Sequence, residues 1–144
     1  MNVVRVKPGC QFSPLAPGGV RILSALDQVA RLLGRDLEIT CGSEAHPPTD
    51  PHTRGEAFDV SVHDLSIDQV LDVRHELQLE LGSGFTVLYE VPTAPTDPRL
   101  QVVAFVNAGA TAPHIHVQVK NGFSYPPIIP PAAARPAVDP STGP

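Results

Sequence analysis

Apolar residues recur every three or four positions from Val20 to Leu33, at 20, 23, 26, 29, 30 and 33, and Gly34 follows at once. That spacing predicts an amphipathic helix closed by a glycine cap. Leu37 to Cys41 alternates apolar and polar residues and predicts a strand. Gly42 to Pro51, rich in Gly, Ser, Asp and Pro, predicts a turn-rich loop. Alternation resumes over Ala57–Val62, with Phe58, Val60 and Val62 on one face and Ala57, Asp59 and Ser61 on the other. Ser66 with Gln69 three residues later reads as a capping box. A helix is predicted from there to about Leu81, with Ile67, Val70, Leu71, Arg74, Leu77 and Leu81 along one side. Phe85–Val91, Leu100–Val106 and His114–Val119 are predicted strands, and Pro92–Pro98 a loop between the first two. Helix, strand, strand, helix and then three strands predict an α+β domain: a small, largely antiparallel sheet with two main helices packed on one face.

Length and composition narrow this picture. A chain of 144 residues has room for one domain. Tyr125–Pro144 holds seven of the 17 prolines and no periodic apolar pattern. It is expected to be a Pro-rich disordered tail on a folded domain of residues 1–124, a spacer or an extended ligand. The formal charge is −5, and no basic stripe appears, so nucleic acid is not an expected partner. No apolar run reaches the ~20 residues of a membrane span. Met1–Val6 alternates and reaches a Pro-Gly turn without the apolar core of a secretory signal, so synthesis in the cytoplasm is expected. Cys10 and Cys41 are then expected to be free buried thiols.

Two segments carry candidate chemistry: His52-Thr53-Arg54-Gly55-Glu56-Ala57-Phe58-Asp59 and His114-Ile115-His116. Together they supply His52, Asp59 and His116, a mixed nitrogen and oxygen set that suits a catalytic Zn2+ with its fourth position open. Zinc lowers the pKa of a water toward about 7 and polarises a carbonyl. His114, His116 and Gln118 share one strand face, so Asp59 and His116 can look into the same side of one sheet and form a zinc cleft opposite the helices. Gly55 lets the intervening backbone turn sharply or approach another segment closely. A His-x-His strand end alone is commonly a half-exposed face. Asp within a strand is more telling, because strands disfavour it and a buried carboxylate needs a partner. His63 and His75 fall outside the pattern and read as surface residues.

The spacing His52-x-x-Gly55-x-Ala57-x-Asp59, with the final His-x-His on a strand, resembles the D-Ala-D-Ala carboxypeptidase and hedgehog-type zinc metallopeptidases. Within that group the chain is similar to short phage and bacterial proteins with an extra histidine six residues before the motif, here His46. The likeness covers about residues 15–120. It implies a zinc peptidase cleaving the peptide stems of bacterial peptidoglycan, with His52, Asp59 and His116 as metal ligands and His114 as the catalytic group, a general base or a stabiliser of the tetrahedral intermediate. His46 and Arg54 are candidate substrate-binding groups; the alternatives are a second-shell or plain loop histidine and a solvated loop charge. Pro113 stands where many relatives carry an acid, and the Cys41–His46 loop lacks their arginine. Glu90 is a spare candidate for the base. The rival expectation is a non-catalytic metal-binding or structural module of a phage particle or envelope complex. Release through a lysis lesion, or carriage in a virion, would bring such a protein to the cell wall.

Overall fold

The computed structural model describes residues 2–44 and 46–123. The proposed tail, Tyr125–Pro144, lies outside them. The elements are β1 (Val4–Val6), α1 (Pro17–Leu33), β2 (Leu37–Cys41), β3 (Ala57–Ser61), α2 (Ile67–Leu81), β4 (Phe85–Val91), α3 (Pro98–Gln101), β5 (Ala104–Val106) and β6 (His114–Val119). The fold is α+β, as expected, but its six-stranded sheet is mixed rather than largely antiparallel, in the order β1-β2-β3-β6-β4-β5. The four inner strands pair antiparallel, while β1 runs parallel to β2 and β5 parallel to β4. The cause is connectivity. A helix returns the chain between β1 and β2, and α3 does so between β4 and β5, and such crossovers produce parallel neighbours.

Local signals set the helices. Pro17 begins α1, where a missing N–H costs nothing. Gly34, at φ +66, ends it in the left-handed region. At α2, the Ser66 hydroxyl accepts from the Gln69 N–H at 3.2 Å, and the Gln69 side chain accepts from the Ser66 N–H at 2.9 Å. The predicted strand over Leu100–Val106 is a correction. Asp97 caps a four-residue helix started by Pro98, and only Ala104–Val106 is extended. The short edge strand β1 also joins the sheet.

Strand alternation sorts the two faces. Leu37, Ile39, Phe58, Val60, Phe85, Val87, Ile115 and Val117 are buried with Ile22, Ala25, Leu26, Val29, Val73 and Leu77 of the helices. Complete burial of each large side chain stabilises by roughly 1.5–3 kcal/mol. The α1 stripe turns slightly from its predicted line: Ile22 and Ala25 are buried, and Val20 is exposed. α2 buries Val70, Val73, Leu77 and Leu81, leaving Ile67 and Leu71 half-buried. Ala57, expected on the polar face beside Asp59, is itself fully buried. Among the described residues no helix is long and apolar enough to cross a membrane.

The face away from the helices presents Glu38 and Thr40 of β2, Asp59 and Ser61 of β3, His114, His116 and Gln118 of β6, and Glu90 of β4. All of them line one cleft of about 1080 Å³. Gly55 both turns and approaches closely, as its place in the motif predicts. Its φ is +72, and a Cβ there would lie 2.2 Å from the Pro14 carbonyl oxygen. Its own carbonyl accepts from the Ala16 N–H at 3.2 Å. A Cβ on Gly19 would meet that same carbonyl at 2.0 Å. The start of α1 is thus pressed onto the loop that carries His52.

Candidate metal centre

β3 and β6 are direct neighbours, with Asp59 opposite His116 and Ser61 opposite His114. This register brings together residues more than fifty positions apart in sequence. His52 arrives from the preceding loop, where Asp50 accepts from its backbone N–H at 2.8 Å and the Gly55 N–H closes a turn onto its carbonyl at 3.0 Å. The His52 residue is only 3 % exposed.

Three donor atoms converge. His52 Nε2 lies 3.2 Å from His116 Nδ1 and 3.4 Å from Asp59 Oδ1, and His116 Nδ1 lies 2.9 Å from Asp59 Oδ1. Zinc bonds of about 2.0–2.1 Å at the tetrahedral angle separate donor atoms by about 3.3 Å, so these edges fit one small cation. The outer nitrogens fix which atom faces inward. His52 Nδ1–H donates to the Gly42 carbonyl at 3.1 Å, and His116 Nε2–H donates to Gln118 Oε1 at 2.8 Å. His52 Nε2 and His116 Nδ1 are thus left to face Asp59, as donors when those nitrogens are protonated and as lone pairs when an ion takes the proton's place. Such partners hold ligand tautomer and ring orientation.

Electrostatics agree. Burial acts most strongly on Asp59 and raises its pKa, but hydrogen bonds from His116 and His52 outweigh it and hold the carboxyl well below its ordinary range. Burial likewise opposes charge on His116. Asp59 and Gln118 overcome it and raise the imidazole pKa. This cluster favours positive charge at its centre, supplied by protons on His116 or by a metal ion.

Two overlapping groups could also hold an ion: Cys41, His46 and His52, and Glu90, His114 and His116. The first fits less well. The His46 and His52 rings stack at 4.2 Å with their planes 6° apart, so their in-plane lone pairs cannot meet at one ion without ring rotation. Cys41 Sγ donates to His46 Nε2 at 2.8 Å. Burial, then Glu44 and Asp59 nearby, pushes that thiol well above its ordinary pKa and keeps it protonated. Cys10 and Cys41 are both free, though half-buried rather than buried.

His114 stands at the edge of the trio. Its Nδ1–H donates to the Ala112 carbonyl at 3.0 Å, which turns Nε2 inward, 3.5 Å from Asp59 Oδ1 and 3.7 Å from Glu90 Oε1. Glu90 is opposite His114 on β4 and accepts from Asn107 Nδ2 at 2.7 Å. Pro113 carries no acid, and Glu90 supplies one from the neighbouring strand. His46 lines the cleft and stacks on His52. Arg54 does not join the cleft lining: Glu56 and the Thr49 carbonyl hold its guanidinium at 3.0 and 2.9 Å. His63 and His75 are exposed, as expected, with His63 on the cleft rim.

The sequence pattern named the three converging residues and His114. It did not find Gln118, the Gly42 carbonyl or Asn107. Gln118 shares the period-two face of His114 and His116, which was the available signal. The other two depend on tertiary register. No protein family, curated protein or solved structure matches this chain.

Proposed function

We propose that the chain is a zinc-dependent peptidase acting on the peptide stems of bacterial peptidoglycan. The supporting observation is the convergence of His52 Nε2, Asp59 Oδ1 and His116 Nδ1, with each imidazole hydrogen-bonded from behind. Two nitrogens and one carboxylate oxygen leave a fourth position toward the cleft, the ligand set of a catalytic rather than a structural zinc. The ion would supply an acidified water and a Lewis acid for the scissile carbonyl.

The chain's own groups handle the protons. His114 Nε2 faces the cleft and takes a proton from the attacking water, then gives it to the leaving amine. Glu90 and Asp59 flank that nitrogen at 3.7 and 3.5 Å. Asn107 keeps the Glu90 carboxylate aimed at it. Gln118 and the Gly42 carbonyl keep two ligand rings from turning.

The test has two parts. Zinc content by plasma emission should be stoichiometric in the purified protein and lost in both His52→Ala and Asp59→Ala; full retention in both variants ends the assignment. The wild-type protein should then release new amino groups from purified cell walls, and His114→Ala should not. Bound zinc with no release at any pH makes the protein a non-catalytic metal-binding module.

A further inference from the structure

Among the described residues the cleft around the proposed centre is lined by Glu38, Asp50, Asp59, Asp64 and Glu90, against one ammonium, Lys7, and five imidazoles. With the imidazoles neutral, as zinc binding requires, five carboxylates and one ammonium leave four negative charges, and a divalent ion would offset only two. The adjoining basin of about 370 Å³ does not reverse the sign. Arg5 and Arg35 line it, but so do Asp36, Glu38 and Asp64. Arg54, the one guanidinium of the motif segment, is held by Glu56 and the Thr49 carbonyl instead of lining the cleft. A cleft with walls of one sign concentrates ligands of the other sign and repels those of its own.

Resting on the peptidase reading above, we infer that this cleft selects peptide segments carrying ammonium groups beside the scissile amide and rejects free carboxylates there. A carboxypeptidase must grip a terminal carboxylate, and among the described residues no Lys or Arg lines the cleft beside His114 and Glu90 to do so. Glu38 and Asp64 belong to both the cleft and the basin, and so extend the acidic surface away from the metal ligands. The substrate is therefore an internal amide flanked by amine-bearing residues, and the protein is an endopeptidase.

Matched fluorogenic peptides test this. They share one backbone and differ only in the group beside the cleaved amide: carboxylate, carboxamide or aminoethylamide. For the full zinc-loaded chain, kcat/KM should be about tenfold higher for the ammonium peptide than for the carboxylate peptide at low ionic strength. The ratio should shrink in 0.5 M salt, and Glu38→Gln with Asp64→Asn should shrink it further. Equal turnover, or a preference for carboxylate, overturns the inference and leaves the peptidase reading standing. If no peptide is cut and cell walls release no amino groups either, the peptidase reading fails. Fluorescence anisotropy of the same labelled peptides on the uncleaving protein then decides the charge preference alone, with equal binding overturning it.

Discussion

Gln118→Ala isolates the part of the centre that touches no ion. Gln118 Oε1 accepts from His116 Nε2–H at 2.8 Å, and its own amide nitrogen reaches the Val119 carbonyl only at 3.4 Å. Truncation removes the one partner that holds His116 Nδ1 toward Asp59 from behind, while all three ligands stay in place. Loss of such an outer partner costs about 10–100-fold in metal affinity. At 1.4 kcal/mol per decade, that is about 1.4–2.8 kcal/mol. Zinc affinity, measured by competition with a chromophoric chelator, should fall by that factor. The extra thermal stability at saturating zinc should shrink by the same free energy. Gln118→Glu keeps an acceptor at the same reach and should hold zinc at least as well as the wild type. Unchanged affinity in Gln118→Ala, or equal weakening in Gln118→Glu, would refute the positioning role. A loss as large as that of His116→Ala would mean the variant has damaged the ligand itself.

Three further outcomes follow from the same geometry. His114→Ala should keep stoichiometric zinc and lose about 10²–10⁴-fold in kcat, with Glu90→Gln falling between it and the wild type in steady-state assays; equal rates would remove His114 from the reaction. Gly55→Ala should destabilise by about 2–4 kcal/mol in urea melts, since left-handed φ costs about 1–2 kcal/mol and the new Cβ also meets the Pro14 carbonyl at 2.2 Å. Gly34→Ala, also at positive φ but in open space, should cost only the backbone part, so equal losses would disprove the close approach. The metal-free protein should be most stable between about pH 4 and 6.5. The depressed Asp59 stabilises above its unfolded pKa and loses this as pH falls through the folded value; the raised His116 stabilises below its unfolded pKa and loses this as pH rises through the folded value. Zinc needs the imidazoles neutral, so its thermal shift should grow from pH 5 to 8, and a flat or falling shift in paired melts would contradict the ligand set.

Elements with strong local signals were legible in the sequence. The Ser66–Gln69 box, the Gly34 cap and the alternation of β2, β4 and β6 all depend on neighbours within a few residues. Ligand candidates were legible too, because Asp59 breaks a strand's apolar rhythm and Gly55 marks a backbone contact. The parallel edges were not, because a three-residue strand carries too little pattern to declare its partner. Leu100–Val106 misled for a related reason. Its apolar run resembles a strand, yet Asp97 and Pro98 are helix-start residues, and they prevail over the first half. The Gly42 carbonyl behind His52 and Asn107 behind Glu90 were invisible because they reach the site through tertiary packing, which sequence spacing does not encode.

The route from β4 to β6 has a consequence for how such a protein diversifies. These strands lie side by side, yet between Val91 and His114 the chain makes an excursion through α3 and the edge strand β5. Asn107 and residues 109–113 of that excursion form one rim of the cleft. Insertions or exchanges there would reshape the entrance for incoming chains while β3 and β6, which carry Asp59 and His116, kept their spacing. A designer seeking a new substrate preference would graft into this segment first and leave the strands untouched.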